Sequence, residues 1–175
     1  MCSSSSLHGA KEHLVVTRHP AAVGSKIKAV KLSTKSIGAE AAPVVVAAIE
    51  NVAKVLQDAD MSDIIAGRPE AEVLQVLQAV SAALAKCEGL KSLNISDNAL
   101  GEKGIRAFKD VLTATSTLQA LYLKNIGCSV NACNAVAELV GCSSLELLHL
   151  FNNMSDNEGA IAIASLLQRS CGMKV

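Results

Sequence analysis

The side chains best suited to nucleophilic or metal chemistry are six cysteines and four histidines. Cys128, Cys133 and Cys142, followed by His149, suggest a zinc set, but they lack the paired short spacing of a structural zinc site. No metal is expected. Cys142 and His149 fall on neighbouring elements, and the half-buried cysteine of a packed unit is a simpler account of Cys142 than a nucleophile. His8, His13 and His19 lie in a polar head with no cysteine organised for attack. Gly101-Glu102-Lys103-Gly104 matches the backbone-clamping loop of a KH domain, but it follows a repeat strand and reads as a helix start. There is no phosphate-cradling Walker loop. The chain is therefore expected to hold no catalytic residues of its own and no cofactor, and it reads as a binding protein rather than an enzyme.

Composition narrows the partners. Sixteen basic residues balance sixteen acidic ones, so there is no net field to draw in nucleic acid or an anionic membrane. The longest apolar run, from Ala41 to Ile49, is broken by Pro43 and falls short of the roughly 20 residues that span a bilayer, so no membrane insertion is expected. The serine-rich head, Met1 to Ser6, lacks the charged and apolar regions of a secretory signal. An intracellular protein with reduced thiols follows as the expectation. Apolar residues make up 50% of the chain and aromatics 2%, which favours a core of many thin aliphatic layers.

Those layers are visible as a repeat. Leu90, Leu93 and Ile95 occupy the first, fourth and sixth positions of a leucine-rich-repeat unit, with Asn98 at the ninth. Leu145, Leu148, Leu150 and Asn153 repeat that spacing. Leu118, Leu121 and Leu123 do so with Asn125 one place early. Ile27, Val30, Leu32 and Lys35 form a weaker copy, and Leu56, Ala59, Met61 and Ile64 another. The five starts, at 27, 56, 90, 118 and 145, are 29, 34, 28 and 27 residues apart. Each unit should send its first, fourth and sixth side chains inward from a short strand and return through a helix. The helices are expected at Glu40–Val52, Glu70–Lys86, Glu102–Leu112, Asn131–Val140 and Asn157–Gln168. Pro69 suits a first helical turn, and Ser155-Asp156-Asn157-Glu158 a capping box. The fold class expected is α/β: a leucine-rich-repeat solenoid, a ribonuclease-inhibitor-like horseshoe segment with parallel strands on the concave side and helices outside. Residues 1–26 form an N-terminal polar segment or cap and residues 27–175 the repeat domain.

Binding residues are sought on the concave face and its rim, at the third, fifth, seventh and eighth positions. Tyr122, Lys124, Asn125, His149, Phe151 and Asn152 fall there, and exposed aromatics often mark an interface. The unit starting at Leu56 is longer than the others and inserts Ala66-Gly67-Arg68-Pro69-Glu70 between strand and helix. Arg68 is expected on a protruding loop, its guanidinium free to reach a phosphate or carboxylate. The apolar edge beyond Leu166 and Leu167 is expected to be open to self-association.

Met61-Ser62-Asp63-Ile64-Ile65-Ala66-Gly67-Arg68 and Leu93-Asn94-Ile95-Ser96-Asp97-Asn98-Ala99-Leu100-Gly101 resemble repeats of the Ran GTPase-activating proteins, in their plant-like form. Gly67 to Glu72, Leu121 to Asn125, Asn152-Asn153-Met154 and Glu158 to Ala164 extend the similarity, which covers roughly Ile27 to Arg169. The resemblance implies binding to a Ran-type small GTPase in its GTP form. It also implies stimulation of hydrolysis by the partner's own active site, in nucleocytoplasmic transport. Arg68 matches the family's loop arginine, a binding contact rather than an inserted arginine finger. Asn125 matches the rim asparagine that helps hold the GTPase's glutamine. With these, Asn98, Tyr122, Lys124, His149, Phe151 and Asn152 complete the expected partner-binding set. The implied location is the cytoplasm, with the nuclear envelope or nucleus as further sites. Met1 to Lys26 do not resemble the plant family's targeting domain, and the chain stops at Val175, so a shortened member is expected. The alternative is a leucine-rich-repeat protein-binding adaptor without activating ability.

Overall fold

Three-residue strands form where the apolar triplets stand, because an inward fourth-position side chain flanked by outward neighbours matches the period of a pleated strand. In the computed structural model, which describes residues 26–141, 144–152 and 155–169, they are β1 (Ala29–Lys31), β2 (Asp58–Asp60), β3 (Ser92–Asn94), β4 (Ala120–Tyr122) and β5 (Leu147–His149). They make one parallel sheet in sequence order. The register runs straight through it: Ala29, Asp58, Ser92, Ala120 and Leu147, the third positions, are partners from strand to strand. Like positions therefore stack on like across the sheet.

Parallel strands need a crossover, and helices supply each one. These are α1 (Ala42–Val52), α2 (Glu70–Leu84), α3 (Gly101–Ala107), α4 (Lys109–Ala114), α5 (Val130–Leu139) and α6 (Asn157–Arg169). The helices form a second layer in which α2 packs on α1 and on the α3–α4 pair, and α5 packs between α3 and α6. The core lies between the layers. Leu56, Met61, Leu90, Leu93, Ile95, Leu121 and Leu123 are fully buried, each stabilising the fold by roughly 1.5–3 kcal/mol. In the first and last units Val30, Leu148 and Leu150 are only half-buried, while Leu32 and Leu145 are buried.

Element bounds differ from expectation in informative ways. The helix expected at Glu102–Leu112 is two, divided at Phe108, whose φ of −85° and ψ of 10° leave the α region. Phe108 is fully buried, so packing fixes this turn, and it carries no side chain able to cap α4. The buried N–H of Val111 donates instead to the Ser81 hydroxyl of α2, 3.1 Å away. A neighbouring helix thus supplies the cap that the chain itself lacks. Pro69 stands just before α2 rather than within its first turn. Before α6, capping falls to Asp156, whose Oδ1 accepts from the N–H groups of Glu158 and Gly159 at 3.0 and 3.3 Å. Among the described residues, no helix is long and apolar enough to cross a membrane. All but the last residue of the polar segment 1–26 lies outside the described residues, as do Cys142, Asn153 and Met154.

A rim of left-handed turns as candidate binding site

Immediately after each strand the chain must leave the sheet, and every unit has a left-handed non-glycine residue at the same place, with Ala99 a second one in the third unit. Those at the shared place are Thr34, Asp63, Asp97, Asn125 and Asn152, with φ of 60°, 52°, 59°, 52° and 55°. All five hold the eighth position of their units. Asn and Asp tolerate this region because their short polar side chains bond locally, and four of the five residues are Asn or Asp. Asn125 is therefore not a displaced ninth-position residue. It occupies its proper place in the turn, and the ninth position of its unit is the fully buried Ile126.

The turns hang on one another through the backbone. The N–H of Thr34 donates to Ser62 O at 3.2 Å, that of Asp63 to Ser96 O at 3.1 Å, that of Asp97 to Lys124 O at 2.8 Å and that of Asn125 to Phe151 O at 3.0 Å. Each eighth-position N–H thus reaches the seventh-position carbonyl of the next unit, and the ladder of the sheet continues past the strands into the rim. Side chains at the rim are presented from a backbone with its hydrogen bonds already made.

On that backbone Asn125 is exposed, and its Nδ2 donates to Asp97 Oδ1 at 3.2 Å. Lys124 Nζ lies 3.8 Å from Asp97 Oδ2. Asp97 thereby joins the two expected residues into one polar group. Asp97 holds the eighth position, expected to face outward on the rim, but is not among the residues expected to contact the partner. Asn152 is exposed at the same position of the last unit.

Asn98 corrects an expectation. It is 3% exposed, and its side chain is spent inside the protein. Nδ2 donates to the carbonyls of Met61, Ile95 and Ser96 at 2.8, 3.0 and 3.2 Å, and Oδ1 accepts from the Ile64 N–H at 2.8 Å. A buried turn with several unpaired backbone groups requires such a bridge. Asn98 therefore holds the second and third units together beneath the rim, its side-chain amide engaged within the protein. Ser96, at the seventh position of its unit, is also buried, and its hydroxyl accepts from the Lys124 N–H at 3.0 Å.

Arg68 differs from expectation in another way. Its guanidinium does not reach out but folds back onto the first unit. Nε donates to Ser36 Oγ at 2.9 Å, Nη2 donates to Ser36 O at 3.3 Å, and Nη1 lies 3.6 Å from Glu72 Oε1. Ser36 passes its own proton to Ala66 O at 2.7 Å, and Glu72 accepts the Ala39 N–H at 2.8 Å. Gly38 makes room for this, since a Cβ there would meet the guanidinium at 2.8 Å. About a third of the Arg68 side chain, 38%, stays accessible. It lines a cleft of about 740 Å³ between the loops before α2 and α3, shared with Asp97, Asn98 and Lys103. Arg68 and the Asp97 turn thus face one space.

The fifth positions make a second row across the sheet. Lys31 Nζ is 3.2 Å from Asp60 Oδ2, and Asn94 Nδ2 donates to Asp60 Oδ1 at 3.1 Å. Partial burial raises the Asp60 pKa, but hydrogen bonds from Ser62 and the Lys31 ammonium outweigh it and hold the carboxyl below its ordinary value of 3.8. Further along, Tyr122 meets His149 edge-on with ring centres 5.9 Å apart, and His149 meets Phe151 at 6.2 Å. Phe151 is 61% exposed and Leu147, beside it, 42%. The row is charged at one end and aromatic at the other, and it offers surface rather than a reacting centre. Among the described residues, no group of three His, Cys, Asp or Glu side chains is placed to hold a metal ion.

The fold and site together define an α/β protein of in-register strand–helix units whose ordered polar rim and aromatic row are suited to binding. No family model matches the chain. It is 45% identical over 94 residues, 54% of its length, to RAN GTPase-activating protein 1 of Arabidopsis thaliana, and 43% identical over 99 residues, 57% of its length, to RAN GTPase-activating protein 2 of the same plant. A Ran GTPase-activating protein 2 of Caenorhabditis elegans is 33% identical over 125 residues, 69% of this chain. The chain is related to the Ran GTPase-activating proteins, and its matches span 17%, 18% and 13% of those three relatives. Among solved structures, Leiomodin-1 Actin-Binding Site 2 superposes with a TM-score of 0.62 over 83% of this chain and 81% of that one. At 20% identity, that likeness concerns the fold alone.

Proposed function

We propose that this chain is a leucine-rich-repeat solenoid segment that binds a Ran-type GTPase in its GTP form and speeds GTP hydrolysis without chemistry of its own. The observation that carries the reading is the 45% identity over 94 residues to a protein named for that activity. The rim geometry supports it. A partner's mobile catalytic glutamine is restrained best by a group already held in place, and Asn125 is an exposed amide on a backbone fixed by hydrogen bonds on the next unit. Lys124, Asn152 and the ring row of Tyr122, His149 and Phe151 extend the contact surface along the same side. Arg68, tethered through Ser36 and Glu72, keeps enough of its guanidinium accessible for a carboxylate on the partner. The encounter takes place in the cytoplasm or at the nuclear rim. The apolar surface of α6, with Ile161 and Leu167 exposed, is where copies of the chain would associate.

The test is single-turnover hydrolysis by GTP-loaded Ran with and without the chain. Acceleration is expected, and Asn125→Gly should abolish most of it while leaving the fold intact, because glycine keeps the left-handed turn and removes only the amide. Arg68→Ala should weaken binding roughly tenfold, about 1.4 kcal/mol. Binding without acceleration would leave an adaptor working through Tyr122, His149 and Phe151, and absence of both would overturn the proposal.

A further inference from the structure

Cys128 and Cys133 bracket the start of α5. Ser129 is the capping residue, its Oγ accepting from the Ala132 N–H at 3.4 Å, so Cys128 directly precedes the cap and Cys133 is the fourth helical residue. Those two positions meet across the first turn of a helix, where apolar side chains commonly pack as a hydrophobic staple. Here the staple is made of two thiols. Both are buried, and their sulfurs are 2.9 Å apart, less than 1 Å beyond a disulfide bond length of about 2.05 Å. The neighbouring helix leaves them space: Gly159 of α6 faces Cys133, and a Cβ there would come within 3.2 Å of its sulfur. The third described cysteine, Cys87, is equally buried but directs its thiol to the Ala83 carbonyl at 3.8 Å.

We propose that Cys128 and Cys133 are a dithiol modification site that closes reversibly to a disulfide by exchange with a small disulfide of the glutathione class. One protein thiolate attacks the glutathione disulfide, its sulfur–sulfur bond breaks, and one glutathione leaves with a proton. The second protein thiolate attacks the protein sulfur of the mixed disulfide and releases the second glutathione. The protein loses two electrons and two protons, and the small disulfide gains them. Because the two sulfurs are held together by the helix start, the second step is intramolecular and the mixed disulfide does not accumulate. Burial, with the neighbouring thiol adding to it, pushes the Cys128 pKa up to about 12, so this thiol is protonated at neutral pH and its exchange proceeds slowly, through opening of the first turn of α5.

The full chain, refolded from urea in a glutathione redox buffer so that both sulfurs have access, is alkylated and cleaved at lysine and glutamate. The fragment from Asn125 to Glu138 contains these two cysteines and no other. The expected result is that this fragment lacks two hydrogens and takes no alkyl group, while Cys87 is alkylated. The thermal midpoint should rise by several degrees relative to the reduced chain and return on addition of dithiothreitol. Alkylation of both cysteines, or glutathione on each, would overturn the proposal. Cys133→Ser should leave Cys128 alkylated or carrying glutathione, and a fragment in which Cys128 bears neither an alkyl group nor glutathione would overturn the pairing.

Discussion

Asn98 shows how much one side chain can hold when burial removes water as an alternative partner. Its amide serves three carbonyls and one N–H, spread over two units. Asn98→Ala takes away the bond of the Ile64 N–H and of the Met61 and Ile95 carbonyls, while Ser96 O keeps the Asp63 N–H, and it should destabilise the protein by about 3 kcal/mol, read as a lower urea midpoint at unchanged slope. The same ninth position holds Ile64 and Ile126 in the flanking units, both fully buried, so the asparagine is needed only where the backbone leaves polar groups unpaired. The ninth position of the repeat calls for an asparagine that bonds backbone groups of the adjacent coil, and Asn98 does so. Pattern alone does not say whether a polar side chain is spent inward or outward. Asp97, one residue earlier, faces the rim and was the more informative of the pair. Arg68 carries a similar lesson: Gly67 and Pro69 mark a loop correctly, but its partners Ser36 and Glu72 come from the preceding unit and from the helix that follows the loop.

Helix boundaries were legible to within a residue or two wherever apolar spacing and a polar start coincided, as at α2, α5 and α6. The break at Phe108 was not legible, because Gly104, Ile105, Phe108, Val111 and Leu112 keep a helical spacing of buried positions across it. What divides the segment is the packing of Phe108 together with the Ser81 hydroxyl that caps α4 from another helix. Ser81→Ala should therefore cost about 1–2 kcal/mol, more than an interior helical serine usually would, since it strands the buried Val111 N–H. Amide hydrogen exchange would localise the loss: faster exchange at Val111 is expected, with α5 unchanged.

Across the whole molecule, stability is distributed by neighbours, since each inner unit is covered on both sides and each outer one, among the described residues, on a single side. Leu93, at the fourth position of the middle unit, is fully buried, whereas Val30, at the same position of the first, is half-buried. Leu93→Ala should cost roughly 3–4 kcal/mol and Val30→Ala about 1 kcal/mol, measured by equilibrium denaturation. Equal costs would mean that burial does not follow position along the stack. The rim belongs to this scale too, because the left-handed turns at Thr34, Asp63, Asp97 and Asn125 are each fixed by a carbonyl of the following unit.

By itself the sequence determined the period, the apolar triplets and the alternation of strand and helix, and with them the parallel sheet in sequence order. These depend on side-chain spacing within a dozen residues, which the chain carries locally. The tertiary structure alone decided that Asn125 sits in a shared left-handed turn, that Asn98 is buried, that Arg68 is tethered and that two thiols meet across a helix start. The first three depend on groups roughly 30 residues apart in the chain, brought together only when successive units stack. The thiols are five residues apart, but they face each other because α5 starts at Ser129 and α6 packs against it.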